Sequence, residues 1–231
     1  EVPSRGLGDV YKRQDHKLRK ESTYEAYKVK KILKSLKINS QVLTWKGKKP
    51  VSNIQSLARS KRYELLFLKC KKLKISNLVL GHHIDDVIEN FFLRMARGSG
   101  LKGLVSLGTN TQIENINLIR PLIEFDKRDL IFLSKFIFNF YVDDPTNDDI
   151  KFNRIKVRNL IKRFEDFGLD KKKFQLTIEN LKKSDQSIKF YIEKNKRENS
   201  IFNYRKNELK LKDNFFDNSH EVIFRSLSDL I

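Results

Sequence analysis

Cysteine is nearly absent: Cys70 is the only one in 231 residues. That excludes an intramolecular disulfide, a cysteine-based zinc site and a cysteine-ligated iron–sulfur cluster within these residues. Long apolar runs are missing too. None approaches the roughly 20 residues of a membrane span, and no signal peptide with an apolar core is visible, so a soluble protein of a reducing cytoplasm is expected. Internal repeats and low-complexity tracts are also lacking. Negative charge is scarce: 29 Asp and Glu stand against 48 Lys and Arg, a net charge of +19. The cations are spread over both halves rather than gathered in a tail, so a polyanion is the natural partner. An AT-rich coding sequence would also raise Lys, Asn, Ile and Phe without any binding purpose, so charge suggests RNA without proving it. Apolar residues make up 39%, low for a globular protein, yet 17 Phe supply large pieces of core surface. The length suits one moderate α/β domain and a smaller appendage.

Residues 1–14, Glu1 to Gln14, show neither strand alternation nor a helical stripe and read as a non-native leader. From Asp15 two periods alternate, the signature of a parallel sheet with helical crossovers. Ser22 with Glu25 forms a capping box ahead of Ala26, Val29, Leu33 and Leu36 at helical spacing. Gln41–Trp45 reads as a strand, Gly47 to Ser52 as a loop, and Asn53 as the N-cap of a helix carrying Ile54, Leu57, Ala58, Leu65 and Leu66. Asn77–Gly81 is a short buried strand. A helix follows from about Ile84 to Arg97, its apolar face made of Ile84, Val87, Ile88, Phe91, Phe92 and Met95, ended by Gly98 and Gly100. Asn117–Leu122 reads as a strand, and Asp126 caps a helix through Phe138. After Asp144-Pro145 the character changes. Arg158 to Arg197 is charged helix with sparse apolar positions, no strand is expected before about Phe202, and the last thirty residues open a further small domain. The expected architecture is α/β: a Rossmann-like parallel sheet with flanking helices over 15–158, a helical arm over 159–199 and a partial C-terminal domain over 200–231.

The segment Leu80-Gly81-His82-His83-Ile84-Asp85-Asp86-Val87-Ile88-Glu89 joins the end of a buried strand to the start of a helix. In open parallel sheets ligands bind at the carboxyl ends of strands. Asp86 and Glu89 fall one turn apart, on the side opposite Phe91 and Met95, where two carboxylates could clasp one cation. The same acids would equally suit a helix N-terminus, where negative side chains are favoured by roughly 0.3–1 kcal/mol. Neighbouring residues at a strand end point to opposite sides, so His82 and His83 are not expected to share a metal ion, and no metal site is expected.

A family resemblance rests on an ordered set of segments. Asp15-His16-Lys17-Leu18-Arg19-Lys20-Glu21-Ser22 is followed by Ala58-Arg59 to Arg62-Tyr63, then Gly81 to Glu89, then Arg94 to Gly100. Arg120-Pro121-Leu122, Asp144-Pro145-Thr146-Asn147, Asn153-Arg154 and Arg158 continue the series. Over about Asp15 to Arg163 the chain resembles the tRNA(Ile)-lysidine synthases of the PP-loop ATP pyrophosphatase superfamily, whose signature reads His-His-x-Asp-Asp-x-x-Glu. The implied fold is that of the adenine nucleotide alpha hydrolases. The implied reaction adenylates the C2 oxygen of the wobble cytidine of tRNA(Ile) with ATP and Mg²⁺, after which the ε-amine of L-lysine attacks C2. The resemblance places Arg62 and His82 at ATP, with Arg62 also catalytic, and Asp86 and Glu89 at the lysine, one of them taking its proton. Arg94, Arg97, Arg154 and Arg158 are expected at tRNA phosphates. The family's Ser-Gly-Gly-x-Asp-Ser phosphate loop does not occur in these residues, and Gly6-Leu7-Gly8 does not replace it. The first strand and that loop are therefore expected to be missing, and the 231-residue chain to be inactive.

Each role has a plainer counterpart. Arg62 lies on the polar side of its helix as a solvated charge would; His82 could bond a carbonyl; Arg94 and Arg97 suit a helix C-terminus. Trp45 and Tyr63 read as core rather than stacking platforms. Three other functions compete: a PP-loop tRNA sulfur-transfer enzyme, which the single cysteine disfavours; a non-catalytic basic RNA-binding module; and a metal-dependent phosphohydrolase built on His82 and Asp86.

Overall fold

The computed structural model describes residues 11–15, 21–44, 54–141, 153–168, 170–203 and 205–231. In chain order the elements are β1 (Tyr11–Asp15), α1 (Glu21–Ser35), β2 (Ser40–Thr44), α2 (Ile54–Leu73), β3 (Asn77–Val79), α3 (Ile84–Met95), α4 (Leu101–Leu104), β4 (Asn110–Ile113) and β5 (Ile116–Ile119). These are followed by α5 (Lys127–Phe138), α6 (Asn153–Asp166), α7 (Lys171–Asn199), β6 (Ser200–Asn203), β7 (Glu208–Leu211) and α8 (His220–Leu230). They form two compact units, Glu1–Gly81 with Thr109–Thr146, and His82–Gly108 with Asn147–Ile231. No helix among the described residues is long and apolar enough to cross a membrane.

The first unit is α/β. β1 and β2 pair in parallel, Tyr11 against Ser40 through Asp15 against Thr44, and parallel neighbours need a crossover, here α1. Ala26 and Leu33, seven residues apart and so on one face, are buried along it. Leu36, expected on that face, is largely exposed, since the helix ends at Ser35. The helix begins at Glu21, so Ser22 sits inside its first turn rather than at the cap. Tyr11–Asp15 forms β1 although its first four residues fall in the stretch read as a leader: YKRQD indeed lacks apolar alternation and is held by its ladder with β2.

β3 pairs in parallel with β5, and β4 adds an antiparallel edge, giving the order β3-β5-β4. β5 alternates as a half-buried strand should, with Ile116 and Leu118 buried and Asn117 exposed. Cys70 of α2 packs with Ile116 and Leu118, ringed by Tyr63, Phe67, Ile75, Leu78 and Leu80. Asp126 caps α5 by accepting from the Arg128 N–H at 2.8 Å. Asn139, with φ 48°, ends α5 in the left-handed region.

The second unit is mostly helical. α6 and α7 pack on α3 through aromatic rings: Phe91 meets Phe174 edge-on at 5.1 Å, and Phe92 stacks with Phe164 at 5.5 Å and with Phe174 at 5.3 Å. The stretch read as a charged helical arm thus uses two of its sparse apolar positions, Phe164 and Phe174, as a seam against α3. Aromatic pairs of this kind add about 0.5–1.5 kcal/mol each beyond their burial. α7 continues into the β6–β7 hairpin and α8. There Asn195 donates to the Phe215 carbonyl at 3.2 Å, and Arg225 donates to Asp185 at 2.9 Å.

Candidate active site

α3 carries the acidic cluster. Its buried stripe is Ile84, Val87, Ile88, Phe91 and Phe92, while Met95, expected to continue it, is 49% exposed. His83 is the N-cap, and its backbone N–H donates to Asp86 Oδ2 at 3.1 Å. Asp85 and Asp86 occupy the first turn, where the unpaired N–H groups of the helix favour negative charge. The His83 ring lies between them, Nδ1 3.3 Å from Asp85 and Nε2 3.4 Å from Asp86.

Each carboxylate has a different engagement. Asp85 pairs with Lys171, the first residue of α7, at 2.6 Å. Glu89 Oε1 accepts from Arg158 Nε of α6 at 2.5 Å. Asp86 has, among the described residues, no Lys or Arg within ion-pair distance; its partners are the N–H and ring of His83. Glu89 is 4% exposed, although the helical wheel puts it away from Phe91, because α6 covers that side. Burial alone would lower the Arg158 pKa, but the bond and charge of Glu89, with Asp86 and Asp85 behind it, hold it above its ordinary value. Arg158 is thus firmly cationic, and three carboxylates and two cations from three helices share one locality.

The remaining candidates are distributed. His82 is half-buried in the connection between β3 and α3. Arg94 and Arg97 are exposed at the C-terminal end of α3. There Gly98 takes φ 70°, a left-handed turn that a side chain would strain, and the Ser99 N–H returns to the Arg94 carbonyl at 3.1 Å. Gly103 is tightly placed, since a Cβ there would lie 2.9 Å from that of Ser99. Arg154 lies in the first turn of α6. Arg158, expected at tRNA phosphates, is bonded to Glu89. Arg62 is exposed on α2 in the first unit, one turn from Arg59, whose guanidinium lies 5.8 Å from the Tyr63 ring centre. Tyr63 packs against the Cys70 core as expected. Trp45, residues 16–20, the 47–52 loop, Asn53 and Asp144-Pro145-Thr146-Asn147 lie outside the described residues. Among the described residues no three His, Cys, Asp or Glu side chains converge as metal ligands.

Sequence reasoning missed Lys171, and it named Arg120 only as part of a motif, with no role or burial. Lys171 follows the N-cap Asp170 in a lysine-rich stretch, where nothing distinguishes it from its neighbours. Arg120 is 3% exposed and donates to Thr111 Oγ1 at 2.9 Å; the following Pro121 marked the segment without revealing that burial.

A family model described as a PP-loop domain matches residues 11–164. A tRNA(Ile)-lysidine synthase of Orientia tsutsugamushi (strain Boryong) is 41% identical over 151 residues, which cover 64% of this chain and 33% of that protein. The tRNA(Ile)-lysidine synthase of Wolbachia sp. subsp. Brugia malayi (strain TRS) is 34% identical over 178 residues, 77% of this chain and 41% of that protein. One from Bradyrhizobium diazoefficiens is 33% identical over 174 residues, 75% of this chain and 48% of that protein. The chain thus spans a third to a half of the length of these relatives. Among solved structures it resembles the U34-tRNA thiolase NcsA from Methanococcus maripaludis with its 4Fe-4S cluster. The TM-score is 0.61 at 15% identity, covering 75% of this chain and 60% of that chain, a likeness of fold.

Proposed function

The chain belongs to the PP-loop domain family, and from that premise we propose that it serves as a tRNA(Ile)-lysidine synthase, an ATP-dependent ligase joining L-lysine to C2 of the wobble cytidine. The observation that carries the reading is 41% identity to a named lysidine synthase over 151 residues. Three named synthases match over 151 to 178 residues.

The chemistry needs two things: a better leaving group at C2 and a lysine ε-amine freed from its proton, whose reference pKa is about 10.4. ATP, with Mg²⁺, would supply the first: transfer of its adenylyl group to the C2 oxygen would release pyrophosphate, and AMP would leave as the amine attacks C2. The second falls to α3, whose Asp86 and Glu89 bind the ammonium, one of them accepting its proton as attack begins. Arg62 and His82 suit phosphate charge chemically. The residues present supply only part of an ATP site, because Ser-Gly-Gly-x-Asp-Ser does not occur among them, so no phosphate geometry is assigned. Exposed Arg94 and Arg97, together with Arg154, are assigned to tRNA phosphates.

The sulfur-transfer alternative shares the fold of the thiolase, but Cys70 is the single cysteine in these residues and is 2% exposed inside the α2 core. Cluster chemistry needs several thiolates. The test is incorporation of labelled lysine into a tRNA(Ile) transcript by protein expressed from its full open reading frame. ATP-dependent incorporation at one cytidine is expected; tRNA binding that weakens with salt but is accompanied by no ATP–pyrophosphate exchange would support a non-catalytic RNA-binding module.

A further inference from the structure

We propose that Arg158 is a positioning residue for the lysine substrate: its guanidinium takes one oxygen of Glu89 and leaves the other as an acceptor for the incoming ammonium. This rests on the ligase reading above. Glu89 Oε1 accepts from Arg158 Nε. Glu89 Oε2 is buried and has, among the described residues, no hydrogen-bond partner. A buried acceptor left unmade costs about 1–3 kcal/mol, and each such atom in a native structure calls for an occupant or a role.

The neighbouring carboxylates do not share this state. Asp85 is engaged by Lys171 and Asp86 by the His83 N–H. An ammonium carries three donors and no acceptor, so it can satisfy Oε2 of Glu89 and still reach Asp86 one turn away. A guanidinium bonded on the far oxygen fixes the carboxylate rotamer and prevents both oxygens from turning to Arg158 as a bidentate pair. The cation at position 158 thereby governs lysine affinity without touching the reacting atoms. This differs from a phosphate contact, in which Arg158 would govern tRNA affinity.

The two assignments separate in Arg158→Gln and Arg158→Lys of the protein expressed from its full open reading frame. The readouts are the KM for L-lysine, tRNA-dependent ATP–pyrophosphate exchange, and tRNA affinity between roughly 50 and 200 mM salt. Arg158→Gln is expected to raise the lysine KM about tenfold or more, with exchange and the tRNA salt slope within about twofold of wild type. Arg158→Lys keeps the charge but loses the fork geometry, so it should raise the lysine KM about threefold with tRNA affinity unchanged. It also serves as the working variant if the glutamine form does not fold. An unchanged lysine KM in either variant, or a tRNA salt slope reduced by about one in Arg158→Gln, overturns the positioning role. A wild-type protein that ligates no lysine overturns the ligase reading itself.

Discussion

Among the described residues of the second unit, two buried carboxylates each pair with an arginine, and the two pairs are built differently. In the C-terminal helix pair, Asp185 has both oxygens filled: Arg225 donates to Oδ1 at 2.9 Å and Lys189 reaches Oδ2 at 2.8 Å. Both members of the Asp185–Arg225 pair are almost fully buried, at 3% and 7% side-chain exposure. On α3, Glu89 has one oxygen bonded and, among the described residues, one without a partner, and Arg158 keeps 32% side-chain exposure. A carboxylate whose acceptors are saturated by the chain itself holds helices together and has nothing to offer a ligand. One left half-satisfied beside two more carboxylates has capacity for another donor. The difference separates a carboxylate saturated by the chain itself from one with room for a further donor, although in sequence both are an acid and an arginine far apart.

The comparison breaks most visibly at Asp185. Among the described residues, Asp185→Ala leaves the buried Arg225 with only the longer contact to exposed Glu221 at 3.8 Å; breaking a buried pair in this way typically costs about 3–5 kcal/mol, and thermal unfolding should show a large drop in Tm. Glu89→Gln keeps an acceptor for the half-exposed Arg158 and should cost about 1–3 kcal/mol. A larger loss at Glu89 than at Asp185 would reverse the assignment of which pair is structural.

Acid sharpens the same contrast. Burial alone would push the Asp185 carboxyl up, but hydrogen bonds from Lys189 and Arg225 outweigh it and hold the group below its ordinary value near 3.8. A depressed folded-state value means stability that is fully present above the unfolded-state value and lost as pH falls through the folded one. Unfolding monitored between roughly pH 5 and pH 2 should therefore show an acid-dependent loss of stability that Asp185→Asn flattens. An equally steep profile in that variant would remove Asp185 from the account.

Much of this was legible in sequence where local chemistry decides. Asp126 announced the start of α5, the apolar period from Ile84 to Phe92 announced α3, and the hairpin begins at Ser200 where a strand was expected near Phe202. The misses follow from partners distant in sequence. Tyr11–Asp15 and Asn110–Ile113 are polar segments made into strands by the ladders beside them, which no local period records. Phe164 and Phe174 looked like isolated apolar positions in a charged arm until α3 supplied the face they cover. The helical wheel put Glu89 on the side opposite Phe91 and Met95 but could not show that it is buried, since a wheel carries no information about α6. The pairing of Asp86 with Glu89 as neighbours on one helix was readable; their unequal engagement was not, because it depends on Arg158, 69 residues after Glu89.

The most direct test of the assignment of α3 to lysine is Asp86→Asn in the protein expressed from its full open reading frame, measured for lysine KM and for tRNA-dependent ATP–pyrophosphate exchange in the same preparation. Charge-assisted contacts contribute about 1.5–3 kcal/mol each, so the account predicts a rise in lysine KM of about tenfold or more with exchange nearly intact. Loss of exchange with lysine affinity spared would place this carboxylate in the ATP site and contradict the assignment.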